Sequence, residues 1–268
     1  MNRRPIGVFD SGVGGLTVVR ELLQQLPHES LIYYGDTARV PYGNKSPETV
    51  RRYAMEILDF LVGRGAKMVV VACNTASAHA LELLRGAAPV PVEGVVEPGA
   101  RAAVAASRSG RIGVIGTAGT IGSGAYDRAI RACSGAAAVV AKACPLFVPL
   151  VEEGWLDHPA TRLVAEEYLA GFSAHRIDAL VLGCTHYPLL KPLLADVLGP
   201  DIALIDSAEE TARAVARELA RSTLHAPKSA TAQVHFVVSD APDQFKRVGQ
   251  RFLGGRVRDI ERAVLGER

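Results

Sequence analysis

The chain passes twice through the same succession of signals, and this echo narrows the folds open to it more than any other feature. A β-branched run enters a glycine-rich turn at Gly7-Val8-Phe9-Asp10-Ser11-Gly12-Val13-Gly14-Gly15, and again at Gly113-Val114-Ile115-Gly116-Thr117-Ala118-Gly119-Thr120. Further along each copy an apolar run ends in a cysteine followed by polar residues: Val70-Val71-Ala72-Cys73-Asn74-Thr75 and Val181-Leu182-Gly183-Cys184-Thr185-His186. Around these points short β-branched runs alternate with stretches of helical period, the pattern of parallel sheets covered by helices. Strands are expected at 6–9, 31–34, 68–72, 111–115, 179–182 and 203–205. The clearest helix follows Ser46, an N-cap with Pro47 next to it, and sets Val50, Tyr53, Ala54, Ile57, Leu58 and Leu61 on one face. Another is expected around 208–220, where Glu209 and Glu210 open the first turn and Arg217 and Arg221 lie near the end, matching the helix dipole. Residues 225–230 read as a linker. The expected class is α/β, two similar halves, each a mainly parallel sheet flanked by helices. Ligands bind at the carboxyl ends of strands in open α/β sheets, so two such halves facing each other bring both thiols to one cleft.

With 268 residues, 49% hydrophobic and 22% charged, the chain can bury a sizeable core as one large domain or two small ones. Thirty Lys and Arg against 28 Asp and Glu leave a formal charge of +2. No run of like charges occurs, so the footprint of a nucleic-acid or membrane-surface partner is missing and a small-molecule ligand is expected. No apolar stretch approaches the ~18 residues that cross a bilayer. Met1-Asn2-Arg3-Arg4-Pro5 leads straight into a strand without a signal region, which points to the cytoplasm. The cysteines, at 73, 133, 144 and 184, form no CxxC pair and are expected as free thiols.

A lone cysteine usually packs as a small hydrophobe, the expectation for Cys133 and Cys144. Cys73 and Cys184 read differently, because each ends a strand and is followed by polar residues that a core would not want. A helix starting after each would aim N–H groups at the sulfur and lower its pKa from about 8.5. The glycine turns match neither GxGxxG nor GxxxxGK[ST], so no nucleotide is expected. Their N–H groups, with the hydroxyls of Ser11, Thr117 and Thr120, suit a carboxylate instead. Asp10 fits a helix cap or a catalytic group equally, and Pro41-Tyr42-Gly43-Asn44 fits a turn or a ligand contact. Cys73, Cys184, His79 and His186 would make a soft zinc set, but the close ligand pairs of zinc sites are missing, so no metal is expected. His186 beside Cys184 suits acid/base work better. Glu152 and Glu153 read as a solvated helix start.

Taken together, the motifs resemble the cofactor-independent glutamate racemases of the aspartate/glutamate racemase family, over essentially the full length. The matching segments are Gly7 to Leu16, Gly35-Asp36-Thr37 with Pro41-Tyr42-Gly43, Ala72-Cys73-Asn74-Thr75-Ala76, Gly113 to Thr117, Cys144-Pro145, Val148-Pro149-Leu150-Val151-Glu152, and Leu182-Gly183-Cys184-Thr185-His186-Tyr187-Pro188. The resemblance implies interconversion of L- and D-glutamate without pyridoxal phosphate or any other cofactor or metal, supplying D-glutamate for peptidoglycan. It further implies a homodimer, with each active site in the cleft between two α/β halves, expected here as 1–97 plus 207–268 and 98–206. By the same resemblance Cys73 and Cys184 are the two acid/base thiols, Asp10 assists Cys73, and Glu152 with His186 assists Cys184. Substrate would be bound by Asp10, Ser11, Tyr42, Gly43, Asn74, Thr75, Thr117, Thr120, Thr185 and His186. Around 240–252 the resemblance says least. An aspartate racemase of the same family is the nearest alternative. A non-catalytic amino-acid-binding module would leave two thiols at matched strand ends unexplained, and a cysteine hydrolase using Cys184 with His186 would leave Cys73 without a role.

Overall fold

In the computed structural model, which describes residues 2–266, the first part of the chain runs β1 (Ile6–Asp10), α1 (Leu16–Gln25), β2 (Leu31–Gly35), α2 (Pro47–Gly63), β3 (Met68–Val71), α3 (Asn74–Ala87), β4 (Val92–Gly94) and α4 (Val96–Ala106). There follow β5 (Arg111–Gly116), α5 (Ala118–Gly122), α6 (Ala125–Cys133), β6 (Ala138–Ala143), α7 (Phe147–Glu153), α8 (Pro159–Leu169), β7 (Ala179–Gly183), α9 (Lys191–Leu198) and β8 (Ala203–Asp206). The chain closes with α10 (Ser207–Arg221), β9 (Val234–Val238), α11 (Pro242–Leu253) and β10 (Ile260–Arg262).

Two sheets result, one in the order β10-β9-β2-β1-β3-β4 and one in the order β6-β5-β7-β8. Every strand pairing in both is parallel. The inner order β2-β1-β3-β4 recurs as β6-β5-β7-β8, so the echo in the sequence is one topology used twice. In this correspondence β1 matches β5, and the strands ahead of the two cysteines, β3 and β7, match each other. β3 and β7 are apolar along their whole length, and β1 is so up to Asp10, rather than alternating, because helices cover both of their faces.

On the first sheet α1, α10 and α11 pack on one face while α2 and α3 cover the other. The first of these cores continues into the second half, where Leu16, Val19 and Leu22 of α1 share one cluster with Phe147, Tyr187 and Leu190. The opposite face of the second sheet is closed by α4 and α6. Helix α2 begins as its sequence requires: Ser46 Oγ accepts the Thr49 N–H at 3.3 Å and Pro47 opens the first turn. Val50, Ala54, Ile57, Leu58 and Leu61 are buried, and each of the four larger side chains favours the fold by about 1.5–3 kcal/mol over exposure. Tyr53 stays half-buried at the rim of that face. Helix α10 is capped by Asp206, whose carboxylate accepts the Ala208 N–H at 2.9 Å.

All six expected strands form, and four more join them. β4 has only three residues, β6 is a half-exposed edge rich in alanine, and β9 and β10 lie beyond the linker. The segment 225–230 carries no helix or strand. None of the described helices is long and apolar enough to cross a membrane.

Candidate active site

The carboxyl ends of the two sheets face each other, and Cys73 and Cys184 line the same cavity of about 40 Å³. Cys73 stands between the end of β3 and the start of α3, and Cys184 directly follows β7. They are 5% and 6% exposed, and all four cysteines are free thiols. Ser11, Pro41, Tyr42, Gly43, Asn74, Thr75, Thr117, Val148, Thr185 and His186 complete the lining, so residues from both halves contribute. The glycine-rich turn after β1 serves this close approach. A Cβ on Gly14 would stand 2.5 Å from His186 Nδ1, so only glycine lets the turn meet the second half there. Gly43 plays the same part in the loop after β2, where a Cβ would fall 2.7 Å from Thr117 Cβ.

Around Cys184 the polar groups form a line. His186 Nδ1 lies 3.9 Å from the sulfur, and its Nε2 lies 2.8 Å from Glu152 Oε1 at the end of α7. Burial works against a charged imidazole, but the hydrogen bonds to Cys184 and Glu152 and the charges of both groups outweigh it, and the His186 pKa is pushed up to about 10. Helix α11 braces this line from the first half: Arg251 Nη1 donates to the Glu152 carbonyl, and the Phe252 ring meets the imidazole edge-on at 5.5 Å.

The environment of Cys73 is different. Its sulfur accepts the Ala76 N–H at 3.5 Å as the N-cap of α3. Burial, and next the charge of Asp10, push the thiol up to about 12 against that amide and the Ser11 hydroxyl. The expected net lowering by a helix N-terminus is therefore overturned here, because one weakly bonded amide is outweighed by desolvation and a nearby carboxylate. At Cys184 a short 3₁₀ turn, Tyr187–Leu190, comes next, and the sulfur's partner is an imidazole rather than a helix amide. Asp10 is fully buried at the end of β1, with Oδ2 accepting the Gly12 N–H at 2.9 Å and Oδ1 facing the Thr185 hydroxyl at 3.3 Å. Burial raises its pKa, opposed by the charge of His186 and by the Gly12 and Gly15 amides. It is not the N-cap of α1, which is Gly15.

Thr75, Thr117 and Thr120 join their hydroxyls in a triangle with edges of 2.9, 3.0 and 3.0 Å that ties the halves together. Thr75 and Thr117 line the cavity, whereas Thr120 supports them from behind. Tyr42 lines it too, but its hydroxyl donates to Asp36 Oδ2 at 2.5 Å, so the phenol belongs to the wall. Glu152 and Glu153 close α7 rather than opening a helix. His79 stands apart from the thiols, its Nε2 3.1 Å from the Gly119 carbonyl. Among the described residues no group of three or more His, Cys, Asp or Glu is arranged to hold a metal ion. Cys144 is buried beneath Tyr187, whose hydroxyl bonds the Cys144 carbonyl, and Cys133 is exposed at the end of α6. Sequence reasoning passed over Tyr126, Arg251 and Phe252, which touch Asn74, Glu152 and His186. Asp36, in the Gly35-Asp36-Thr37 motif, accepts the Tyr42 hydroxyl, a part that no local signal in the sequence marks.

Two halves of one topology, each offering a thiol from the end of an equivalent strand to a shared cavity, define the class of α/β amino-acid racemases. The chain belongs to the Asp/Glu/Hydantoin racemase family, whose model matches residues 6–215. It is 56% identical over 262 residues to the glutamate racemase of Geobacter metallireducens, covering 98% of this chain and 97% of that protein. The crystal structure of glutamate racemase from Thermus thermophilus in complex with β-chloro-D-alanine superposes with a TM-score of 0.89 at 50% identity, covering 98% of this chain and 97% of that one. That of Francisella tularensis glutamate racemase in complex with D-glutamate gives a TM-score of 0.92 at 38% identity, covering 98% of both chains.

Proposed function

We propose that this protein interconverts L- and D-glutamate without a cofactor, using Cys73 and Cys184 as acid and base on opposite faces of the α-carbon. The observation that carries the reading is the presence of both sulfurs on one cavity, each from the equivalent strand end of its half. An α-proton is far less acidic than a thiol, so removal alone would leave an unstable carbanion. If one thiolate takes the proton while the opposite thiol delivers another, little charge accumulates. With L-glutamate the resting state is ready: Cys73 keeps its proton as donor, and Cys184 works beside the His186 imidazolium that Glu152 supports. The Cα–H bond breaks toward Cys184 as a new Cα–H bond forms from Cys73. The D product then leaves, and solvent restores both sulfurs. Asp10 moderates Cys73 from the first half, mirroring Glu152 and His186 on the second.

Ser11, Asn74, Thr75, Thr117, Thr185 and the backbone of Tyr42 and Gly43 supply the donors for the substrate carboxylates. Donors fixed before charge develops are usually the largest single contribution to such catalysis. The halves divide as 1–97 with 207–268 and 98–206, and the chain crosses between them twice, at β4 to α4 and at β8 to α10. By resemblance the protein works in the cytoplasm as a homodimer and provides D-glutamate for peptidoglycan, and light scattering checks the dimer. Incubation with L-glutamate, followed by optical rotation, tests the reading. Decay of the signal to zero supports it, unchanged rotation contradicts it, and faster decay with L-aspartate would reassign the substrate.

A further inference from the structure

Asn74 opens α3 with a side chain divided between the two halves. Its Oδ1 accepts a 2.7 Å hydrogen bond from the hydroxyl of Tyr126 on α6. Its Nδ2 is buried and has no hydrogen-bond partner among the described residues. The residue is 3% exposed and lines the cavity shared by the two sulfurs. An amide has one accepting end and one donating end, and here the Tyr126 phenol donates to the accepting end. The unpartnered NH₂ is then the end left for the cavity. Burial raises the Tyr126 pKa, so the phenol keeps the proton it donates.

Tyr126 is itself set by the two segments that join the halves. Gly99, on α4 just past the first crossing, lies so close that a Cβ there would stand 3.3 Å from the phenol oxygen and 3.2 Å from Cβ of Ser207. Ser207 is the first residue of α10, at the second crossing. Gly183, directly before Cys184, packs on the ring, with a built Cβ 3.0 Å from Tyr126 Cε2. The phenol thus packs against Gly99 at the first crossing and Gly183 at the strand end that carries one thiol, has Ser207 of the second crossing as a hydrogen-bond neighbour, and bonds the residue after the other thiol.

We infer that Tyr126 is a positioning residue of the reaction: it fixes the Asn74 amide so that the NH₂ group meets an oxygen of the bound amino acid. The inference rests on the racemase reading and adds to it a residue that never touches substrate. Racemisation of glutamate by the unmodified protein, Tyr126→Phe, Asn74→Ala and the double variant tests it. Tyr126→Phe keeps the ring and loses only the hydroxyl, and kcat/KM should fall about tenfold, the scale of one net hydrogen bond. In the Asn74→Ala background the same change should alter kcat/KM by less than about twofold, since the group it positions is gone. An equal loss in both backgrounds, or none in the first, would overturn the inference. An inert unmodified protein would instead remove the racemase reading, and this inference with it. Should a variant not fold, or Asn74→Ala leave no measurable rate, a crystal structure of the unmodified protein with glutamate decides. Asn74 bonded to both Tyr126 and substrate supports the inference, and a side chain turned away from either overturns it.

Discussion

His186 Nδ1 sits 3.9 Å from the sulfur of Cys184, one short step beyond the end of β7. Across the cavity Cys73 lies within reach of the negative charge of Asp10 instead, and with burial that charge pushes its thiol up to about 12. The two thiols are chemically unequal although the strands that carry them are equivalent. One holds its proton firmly, and the other stands beside a cation.

Removing either thiol leaves one face of the α-carbon without a proton carrier. Cys73→Ala and Cys184→Ala should each abolish racemisation while the unfolding midpoint moves little, and Cys133→Ala, exposed on α6, should leave the rate unchanged. Polarimetry with a urea titration of each variant checks this. Most of the activity surviving in Cys184→Ala would refute a two-thiol mechanism.

The groups beside the thiols assist them and cannot replace them. Asp10→Asn and His186→Asn should lower kcat by roughly 10²–10⁴, the range for a lost acid/base partner, with smaller changes in KM. Unchanged kinetics in both variants would reduce these residues to architecture.

His186 also ties stability to pH. Its pKa rises from the ordinary 6.5 to about 10, so the folded state holds this proton more tightly than the unfolded chain. Its contribution is complete below about 6.5 and is lost as pH climbs through about 10. The difference in unfolding free energy between the unmodified protein and His186→Asn should be largest near the acid end of this window and shrink steadily across it. Urea titrations at several pH values read this directly, and a difference that grows with pH would contradict the assignment.

Tyr42 offers a test of wall against ligand. Tyr42→Phe takes a donor from the fully buried carboxylate of Asp36, whose Oδ1 has no hydrogen-bond partner among the described residues, and should cost about 1–3 kcal/mol of stability. The kinetic change should be the smaller effect. A large rise in KM at unchanged stability would make the hydroxyl a direct substrate contact.

What the sequence disclosed was local or repeated. The Ser46-Pro47 start, the buried face of α2 and the two cysteines at strand ends could be read because each depends on neighbours in the chain. The missed strands lacked such cues: β4 is too short, β6 is an alanine-rich edge, and β9 reaches β2 only after the whole second half has intervened. The sense of the Cys73 shift was hidden for a related reason. The helix amide is next to it in sequence, whereas the burial and the Asp10 charge that prevail come from the fold. Tyr126 and Phe252 showed no local signal at all, since each acts on a residue from the other half.

Isotope incorporation tests the central claim most directly, because two thiols on opposite faces draw protons from separate pools. Racemisation of L-glutamate in deuterated water, stopped early, should give D-glutamate almost fully deuterated at the α-carbon. The remaining L-glutamate should be almost unlabelled, since Cys184 returns only the proton it has just taken. Starting from D-glutamate, with Cys73 as base, the pattern should invert. Early label at similar levels in both enantiomers, or D product that keeps the original proton, would contradict the two-thiol mechanism.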